Sequence, residues 1–307
     1  MALKIIFMGT PEFAVPILKS IYNSNYEILE VYTQPATKKN RGQKIQLSQI
    51  HEYAKKLNLK VRCPISLDTN EELDHIKKLK PDLVIVVAYG KILPKNFLNL
   101  ENVLFINVHA SLLPKWRGAA PIQRSLMNLD NETGVSIMKI VPKLDAGPVL
   151  IQSKIKISND INYQELSIKM SNLGAKLILD SLKLIEENKA DFIEQNEAEA
   201  TYAKKIDKLE AKINWRQSAS KVIAKINAFH PNPGSWFSLF NKRIKIIRAK
   251  EVFIQGEPGT ILDKKLTIAC LNNAVQILEL KKEGKQIMTA EQFLRLNKIK
   301  IGQQINV

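Results

Sequence analysis

Cysteine and histidine are scarce in this chain, and their scarcity excludes two kinds of site. The 307 residues include only 2 Cys and 4 His. Cys63 and Cys270 stand far apart without a Cys-x-x-Cys spacing, so neither a disulfide framework nor a zinc site is indicated. Because no paired histidine pattern is present either, we expect no metal centre.

Long apolar segments are also missing. No apolar run reaches the ~18 residues that a membrane-spanning helix needs. The strand-like run at residues 3–7 is not preceded by a cleavage-type signal sequence. We therefore expect a soluble, cytoplasmic protein without a membrane partner, and we expect it to be a monomer.

The glycine-rich fingerprint of dinucleotide sites is absent from the first turn of the chain. An apolar run ends at Gly9 and is followed by Thr10 and Pro11, where we expect a helix with Thr10 as its N-cap. This strand-to-helix opening is typical of a doubly wound sheet. Since the Gly-x-Gly-x-x-Gly pattern is missing, a dinucleotide site at this turn is disfavoured.

Strand and helix patterns alternate through residues 1–187. The continuous β-branched run at residues 82–88 predicts a strand buried on both faces, and residues 162–187 have the spacing of one long amphipathic helix. Strands that alternate with helices imply a doubly wound, mostly parallel α/β sheet of Rossmann-like type. Residues 188–203, rich in Glu, Ala and Asn, are predicted to be a linker.

Residues 204–307 differ in both pattern and charge. Several short strand-like runs with turns between them favour a small closed β domain such as an OB-like barrel. This part has 20 Lys and Arg against 8 Asp and Glu, whereas the whole chain carries a net charge of +16. The asymmetry favours a polyanion-binding domain. A solvated cationic surface is the alternative.

One stretch of the first domain carries polar residues that suit catalysis. The run at residues 103–106 predicts a buried strand, and Asn107 and His109 share one face at its carboxyl end, where open α/β sheets place ligand crevices. A breaker-rich loop at residues 142–148 adds Asp145. Amide, imidazole and carboxylate groups together can stabilise a developing oxyanion and adjust the pKa of a group that transfers a proton. Taken alone, the three residues are more simply explained as a strand end and a turn.

A basic loop spans residues 34–44, with four cations and no acid. Long loops without apolar anchors often carry function, and this composition predicts disorder in the free protein. A solvent-exposed surface loop without a function explains the pattern equally well.

Seven short motifs, spread over both parts of the chain, form a highly specific combination. They are FMGTPEFA at residues 7–14, NVHASLLP at 107–114, WRGAAPIQ at 116–123, TGVSIM at 133–138, LDAGPV at 144–149, INW at 213–215 and PNPGSW at 231–236. Together they resemble the methionyl-tRNA formyltransferase family. The Asn-x-His pair with a distant Asp would by itself indicate only the wider formyltransferase superfamily.

The resemblance implies an activity and its ligands. The first domain would bind folate and perform the chemistry, and the OB-like domain would grip tRNA. The formyl donor would be 10-formyltetrahydrofolate, and the acceptor would be the α-amino group of methionine on initiator methionyl-tRNA, for translation initiation. The implied residues are catalytic Asn107, His109 and Asp145, folate-binding Ser111, Leu112, Leu113 and Pro114, and tRNA-binding Arg41, to which the charge asymmetry adds Lys242, Arg243, Lys245 and Arg248.

These residues suggest a mechanism. Attack of the amine on the formyl carbon gives an oxyanion and a cationic nitrogen. The Asn107 amide and a protonated His109 would donate to the oxyanion, and one such donor is typically worth ~2.7–4 kcal/mol of barrier. Asp145 would support the protonated imidazole and take part in removing the amine proton. No metal or covalent intermediate is required.

Three other functions stay open on the sequence alone. The first is a folate-dependent formyltransferase that acts on a small amine, such as an amino sugar nucleotide or glycinamide ribonucleotide. This function leaves the basic domain without a role. The second is a hydrolase that releases formate from the same donor. The third is a non-enzymatic RNA-binding protein, which explains the charge and makes the triplet accidental.

Overall fold

The computed structural model describes residues 2–39, 44–297 and 299–305. Two units are formed, and each contains more than one stretch of chain. The first comprises Met1–Gly118, Gly134–Ile155 and Ser167–Tyr202, and the second comprises Ala119–Thr133, Lys156–Leu166 and Ala203–Val307. These units are drawn differently from the predicted domains, whose boundaries at residues 187 and 204 stay a prediction.

Strands interspersed with helices make up the chain to residue 203. The strands are β1 (Lys4–Gly9), β2 (Glu27–Tyr32), β3 (Thr37–Lys39), β4 (Lys44–Gln46), β5 (Val61–Arg62), β6 (Leu83–Val87), β7 (Leu104–His109), β8 (Arg117–Gly118), β9 (Glu132–Lys139), β10 (Val149–Lys156) and β11 (Tyr202–Ala203). The α-helices are α1 (Val15–Tyr22), α2 (Gln49–Lys56), α3 (Asn70–Leu79), α4 (Lys95–Leu98), α5 (Pro121–Met127) and α6 (Tyr163–Glu186). Short 3₁₀ helices lie at Glu12–Ala14 and Glu197–Glu199.

The main sheet has seven strands in the order β10-β9-β7-β6-β1-β2-β5. Strand β1 runs parallel to β2 and β6, β6 runs parallel to β7, and β9 runs antiparallel to β7. Strands added outward on both sides of β1 confirm the predicted doubly wound, mostly parallel sheet. Because β6 and β7 are parallel neighbours, their carboxyl ends lie side by side, with Val86 opposite Asn107.

The central strands are apolar because both faces of the sheet are covered. Residues 83–87 are buried along all of β6, as the continuous β-branched run predicted. Helix α6 lies close to the sheet at Gly174, where an added Cβ would be 3.1 Å from Val108 Cγ1 and 3.3 Å from Ile17 Cδ1. Burying one such aliphatic side chain contributes about 1.5–3 kcal/mol, so this core fixes the strand ends that carry the polar residues.

One local expectation in the first unit is wrong, and a second is contradicted for part of its range. Thr10 is not a helix cap, because the first 3₁₀ helix has Pro11 at its N-cap, and the Thr10 hydroxyl donates instead to Tyr89 O at 2.8 Å. The basic loop has regular structure on both sides of residues 40–43, because β3 pairs antiparallel with β4. Residues 40–43, including Arg41, lie outside the described residues.

The second unit contains β12 (Trp236–Leu239), β13 (Lys242–Val252), β14 (Thr267–Ala269), β15 (Ala274–Lys282), β16 (Ile287–Thr289), α7 (Ala219–Ala228) and α8 (Ala290–Arg295). Its sheet runs β12-β13-β15-β14 with β16 on β15, and these pairs are antiparallel. The sheet confirms the predicted small OB-like β domain. A strand expected at residues 259–262 is reduced to isolated bridges at Thr260 and Ile261.

The core of the second unit is built by the inward face of this sheet. Ile244 and Ile246 alternate along β13 and are buried together with Phe237 and Trp215. The Trp215 and Phe237 rings meet edge to face, with centroids 5.8 Å apart.

Within the described part of the chain, no helix is long and apolar enough to cross a membrane.

Candidate active site

Asn107 and His109 lie at the carboxyl end of β7, which is an interior strand of the main sheet. Strand β7 has β6 on one side and β9 on the other, and His109 lies opposite Ser136 of β9. The His109 side chain is largely buried, with the residue 5% exposed. The half-buried Asn107 amide makes no hydrogen bond to any other residue that the structure describes. It is therefore a free donor at the edge of the sheet where a ligand is expected.

Both ring nitrogens of His109 face an oxygen atom. Nε2 lies 2.9 Å from Trp116 O, and Nδ1 lies 3.7 Å from Asp145 Oδ2. A carbonyl oxygen only accepts, so Nε2 carries a hydrogen in this arrangement. The Nδ1 distance is too long for a hydrogen bond, although it is within ion-pair range. The structure thus brings together His109 and Asp145, which lie on separate segments.

The two neighbours of His109 sit on unusual backbone. Trp116 has φ 61° and Asp145 has φ 46°, in the left-handed region that non-glycine residues rarely adopt. The Asp145 carboxylate accepts a hydrogen bond from Gly118 N at 2.8 Å, which fixes its Oδ2 atom. The loop also lies tightly against β9, because a Cβ at Gly147 would be 1.9 Å from Lys139 O. Strained backbone persists only where its surroundings hold it.

The loop of residues 111–114 is shaped by a hydroxyl from β9. The buried Ser136 hydroxyl donates to Ser111 O at 2.6 Å and accepts from Leu113 N at 3.1 Å. From β10, Gln152 Nε2 donates to Leu113 O and to Ser136 Oγ, each at 2.8 Å. The main chain of this loop is therefore fixed by side chains of the two neighbouring strands.

The side chains of this loop point in different directions. Ser111 is fully buried, and its hydroxyl donates to Lys115 O at 2.6 Å. Leu113 is buried as well, whereas Leu112 and Pro114 are partly exposed. The main chain and these two partly exposed residues are consequently what the loop offers to a ligand.

A group missed by the sequence reasoning surrounds the Asp145 loop. Arg117 is fully buried, and its guanidinium donates to Gln195 Oε1 at 2.9 and 3.0 Å and to the Glu197 carboxylate at 2.9 and 3.2 Å. Gln195 Nε2 in turn donates to Asp145 O at 2.9 Å and to Gly147 O at 2.7 Å. Residues 188–203, predicted as a linker from their polar composition, thus contact the candidate site. Composition gives no information about contacts between residues that are 48 to 80 positions apart in the chain.

Arg117 and Glu197 shift each other's pKa. The hydrogen bonds from Arg117 and then Lys143 lower the pKa of Glu197 to about 2. Burial is the largest single influence on Arg117 and acts to lower its pKa, but the interactions with Glu197 and Tyr202 together outweigh it, and the pKa is raised. A buried guanidinium is costly unless paired, so Glu197 is the acid that makes the burial of Arg117 tolerable.

Comparison with known proteins identifies the family. Residues 3–182 match the formyl transferase family, and residues 205–298 match the formyl transferase C-terminal domain. A methionyl-tRNA formyltransferase of Pelagibacter ubique is 48% identical over 307 residues, which cover 99% of each protein. The chain belongs to the methionyl-tRNA formyltransferase family.

A second relative agrees with this placement, and a more distant protein shares the fold. A methionyl-tRNA formyltransferase of Afipia carboxidovorans is 41% identical over 299 residues, covering 96% of each protein. The crystal structure of an N-formyltransferase from Helicobacter canadensis, in complex with folinic acid and dTDP-3-aminofucose, superimposes with a TM-score of 0.70 and 20% identity. That match covers 92% of this chain and 100% of the other, and at this identity it supports the fold alone.

In this member of the family, the four predicted tRNA-binding residues of β13 lie in the second unit and are not equivalent. Lys242, Arg243 and Arg248 are exposed, and we call them the β13 cations. The Arg243 guanidinium lies 3.9 Å from the centroid of the Trp236 ring. Arg248 also pairs with Glu279 at 3.3 Å.

Lys245 differs from the β13 cations because its ammonium group is already engaged. It donates to Pro231 O at 2.6 Å and passes close to Gly234, where an added Cβ would collide with it. Burial, and then the charge of Lys281 opposite it on β15, lowers the pKa of Lys245. Its contacts fit a residue that holds the turn at 230–234.

A metal centre needs several ligating side chains close together. Among the residues that the structure describes, no group of three or more His, Cys, Asp or Glu is placed to hold a metal ion. Cys63 lies 3.4 Å from His51 Nδ1, but burial raises the pKa of that thiol and lowers the pKa of the histidine. The absence of a metal requirement stays a prediction.

Proposed function

We propose that this protein transfers the formyl group of 10-formyltetrahydrofolate to the α-amino group of methionine on initiator methionyl-tRNA. Its family membership supports this reaction class. The observation that carries the assignment of the site is the His109–Asp145 pair, with the free Asn107 amide two residues before His109 on the same strand, whose carboxyl end lies alongside that of β6.

Each residue of the triplet has a role that its contacts suit. As the amine attacks, negative charge develops on the formyl oxygen, and the unpaired Asn107 amide is free to donate to it. His109 supplies a second donor through Nε2, because its Nδ1 faces Asp145. The Nε2 hydrogen therefore has to exchange Trp116 O for the formyl oxygen when the donor binds. Asp145 holds the ring and takes part in removing the amine proton.

The residues at this edge also fit a folate. The bound donor would supply a formyl group on a nitrogen that can leave. Ile92, in the loop after β6, is 90% exposed, and Leu112 and Pro114 are partly exposed in the loop after β7. An apolar side chain left in solvent suits contact with the rings of the donor. Ser111 and Leu113, both buried, shape the main chain of this loop.

The second unit is proposed to grip the tRNA. The β13 cations are exposed, and a guanidinium stacked on an aromatic ring, as in the Arg243–Trp236 pair, suits contact with nucleic acid. Arg41 is proposed to reach the acceptor end, as the family resemblance implies. Lys245 supports the sheet surface through the turn at 230–234. We further propose a cytoplasmic monomer that needs no metal.

Acceptor choice tests this function. The full-length protein is mixed with 10-formyltetrahydrofolate and one of three acceptors, namely charged initiator tRNA, free methionine or an amino sugar nucleotide. Formylation of the charged tRNA alone is expected. Formylation of the amino sugar nucleotide, or release of formate without any acceptor, would contradict the proposal.

A further inference from the structure

The Gln195 side chain binds two main-chain carbonyl groups of the Asp145 loop. Gln195 Nε2 donates one hydrogen bond to Asp145 O at 2.9 Å and another to Gly147 O at 2.7 Å. The amide has two N–H donors, and both are used. The backbone of Asp145 is in the left-handed region, so an external contact is needed to keep it there.

The orientation of the Gln195 amide is fixed from its other end. Its Oε1 accepts two hydrogen bonds from the Arg117 guanidinium, at 2.9 and 3.0 Å. Turning the amide over would set its NH₂ against a cation and its oxygen against two carbonyls. Arg117 is fully buried and held by Glu197, so it has no freedom to follow such a turn.

The same stretch of chain also holds the opposite neighbour of His109. Thr201 Oγ1 accepts from Trp116 N at 2.9 Å, and Thr201 O accepts from Arg117 N at 2.9 Å. Trp116 O is the atom that lies 2.9 Å from His109 Nε2. Residues 195–201 therefore contact the backbone on both sides of the imidazole ring.

We infer that Gln195, oriented by Arg117, is a positioning residue that sets the Asp145 carboxylate against His109 for formyl transfer. The inference rests on the proposed role of Asp145 in that reaction. Gln195 contacts no reacting atom. It acts through the Asp145 and Gly147 carbonyl groups, which hold the backbone that carries the carboxylate, while Gly118 N holds Oδ2 itself. A displacement of about 1 Å at a reacting group can cost 10²-fold in rate.

An isosteric substitution separates positioning from mere support of the fold. Gln195→Glu keeps the size of the side chain and the acceptor for Arg117, but it replaces both N–H donors with an acceptor that faces two carbonyls. We expect kcat to fall roughly 10- to 100-fold. KM for charged tRNA and for 10-formyltetrahydrofolate should change less than about threefold, since neither ligand is proposed to touch Gln195.

The chain offers a matched control in the next residue. Asn196 is also a side-chain amide of this segment, but it accepts from Ala198 N and donates to Glu199, both exposed. Asn196→Ala should keep the wild-type kcat. If Gln195→Glu does not fold, Gln195→Met, which has the same length and no polar atoms, is measured in its place.

The decisive comparison combines this substitution with Asp145→Asn. If Gln195 acts through Asp145, adding Gln195→Glu to Asp145→Asn should lower kcat little further, because residues that act as one unit are not additive. A folded Gln195→Glu with wild-type kcat, or an undiminished effect in the double variant, would overturn the inference while the proposed function stood. An Asp145→Asn variant with wild-type kcat would remove the proposed role of Asp145 and with it the inference, whereas a wild type that does not formylate charged tRNA would overturn the proposed function itself.

Discussion

Removal of the Ser136 hydroxyl tests how strongly the loop of residues 111–114 is held. This fully buried hydroxyl takes part in three hydrogen bonds, with Ser111 O, Leu113 N and Gln152 Nε2. A buried hydrogen bond contributes roughly 1 kcal/mol, and a buried group left without a partner costs ~1–3 kcal/mol. For Ser136→Ala we therefore expect the free energy of unfolding to fall by about 3 kcal/mol.

The effect on the loop should also appear in ligand binding. Because Ser136 fixes the main chain that is proposed to bind folate, Ser136→Ala should raise KM for 10-formyltetrahydrofolate and leave KM for charged tRNA unchanged. Urea titration followed by circular dichroism measures stability, and initial rates give the two KM values.

A second buried serine of the first unit provides the control. Ser171 makes one hydrogen bond within the described residues, to Phe13 O at 2.5 Å. Ser171→Ala should therefore cost only about 1 kcal/mol and leave KM for the donor unchanged. The reasoning is refuted if Ser136→Ala is no more destabilising than Ser171→Ala and binds the donor normally.

Two further predictions concern charge. The pKa of Glu197 is lowered to about 2 by Arg117 and Lys143, from an ordinary value of 4.5. A carboxyl group with a depressed pKa stabilises the fold above its unfolded pKa and loses that contribution as the pH falls towards the folded value. The wild-type melting temperature should consequently drop more steeply than that of Glu197→Gln between about pH 5 and pH 2. If the melting temperatures of the two proteins fell equally with pH, the pairing of Glu197 with Arg117 and Lys143 would not stabilise the fold. Replacing all β13 cations with Gln should raise KM for tRNA, flatten its dependence on salt and spare kcat. Lys245→Met should instead lower the melting temperature. If Lys245→Met raised KM for tRNA more than replacement of the β13 cations did, the proposal that the β13 cations contact the tRNA while Lys245 supports the turn would be wrong.

The parts of the fold that follow local periodicity were predictable. The β-branched run at residues 82–88 predicted a strand buried on both faces, and β6 is buried along its length. Alternation likewise predicted that Asn107 and His109 share a face, because a strand repeats every two residues. These features depend only on residues close together in sequence.

Contacts between distant segments were not predictable from one sequence. Thr10 looks like a helix cap, but Tyr89 O, 79 residues away, takes its hydroxyl. Asp145 stands out in the sequence as the acid of a breaker-rich loop, but only the family resemblance favoured a catalytic role for it, since periodicity gives no distance between a loop acid and His109. Gln195 lies in a segment whose polar composition indicates a linker, and its contacts with Asp145 and Arg117 exist only in the folded chain.

The most direct test of the proposed function is the rate of formyl transfer by His109→Ala. The full-length protein and the variant are given charged initiator tRNA and 10-formyltetrahydrofolate under saturating conditions, and binding of each ligand is measured separately. The proposed mechanism predicts that the wild type formylates the tRNA. It also predicts that His109→Ala lowers kcat by at least about 10²-fold and binds both ligands normally. A folded variant with near wild-type kcat, or a wild type that forms no formylmethionyl-tRNA, would contradict it.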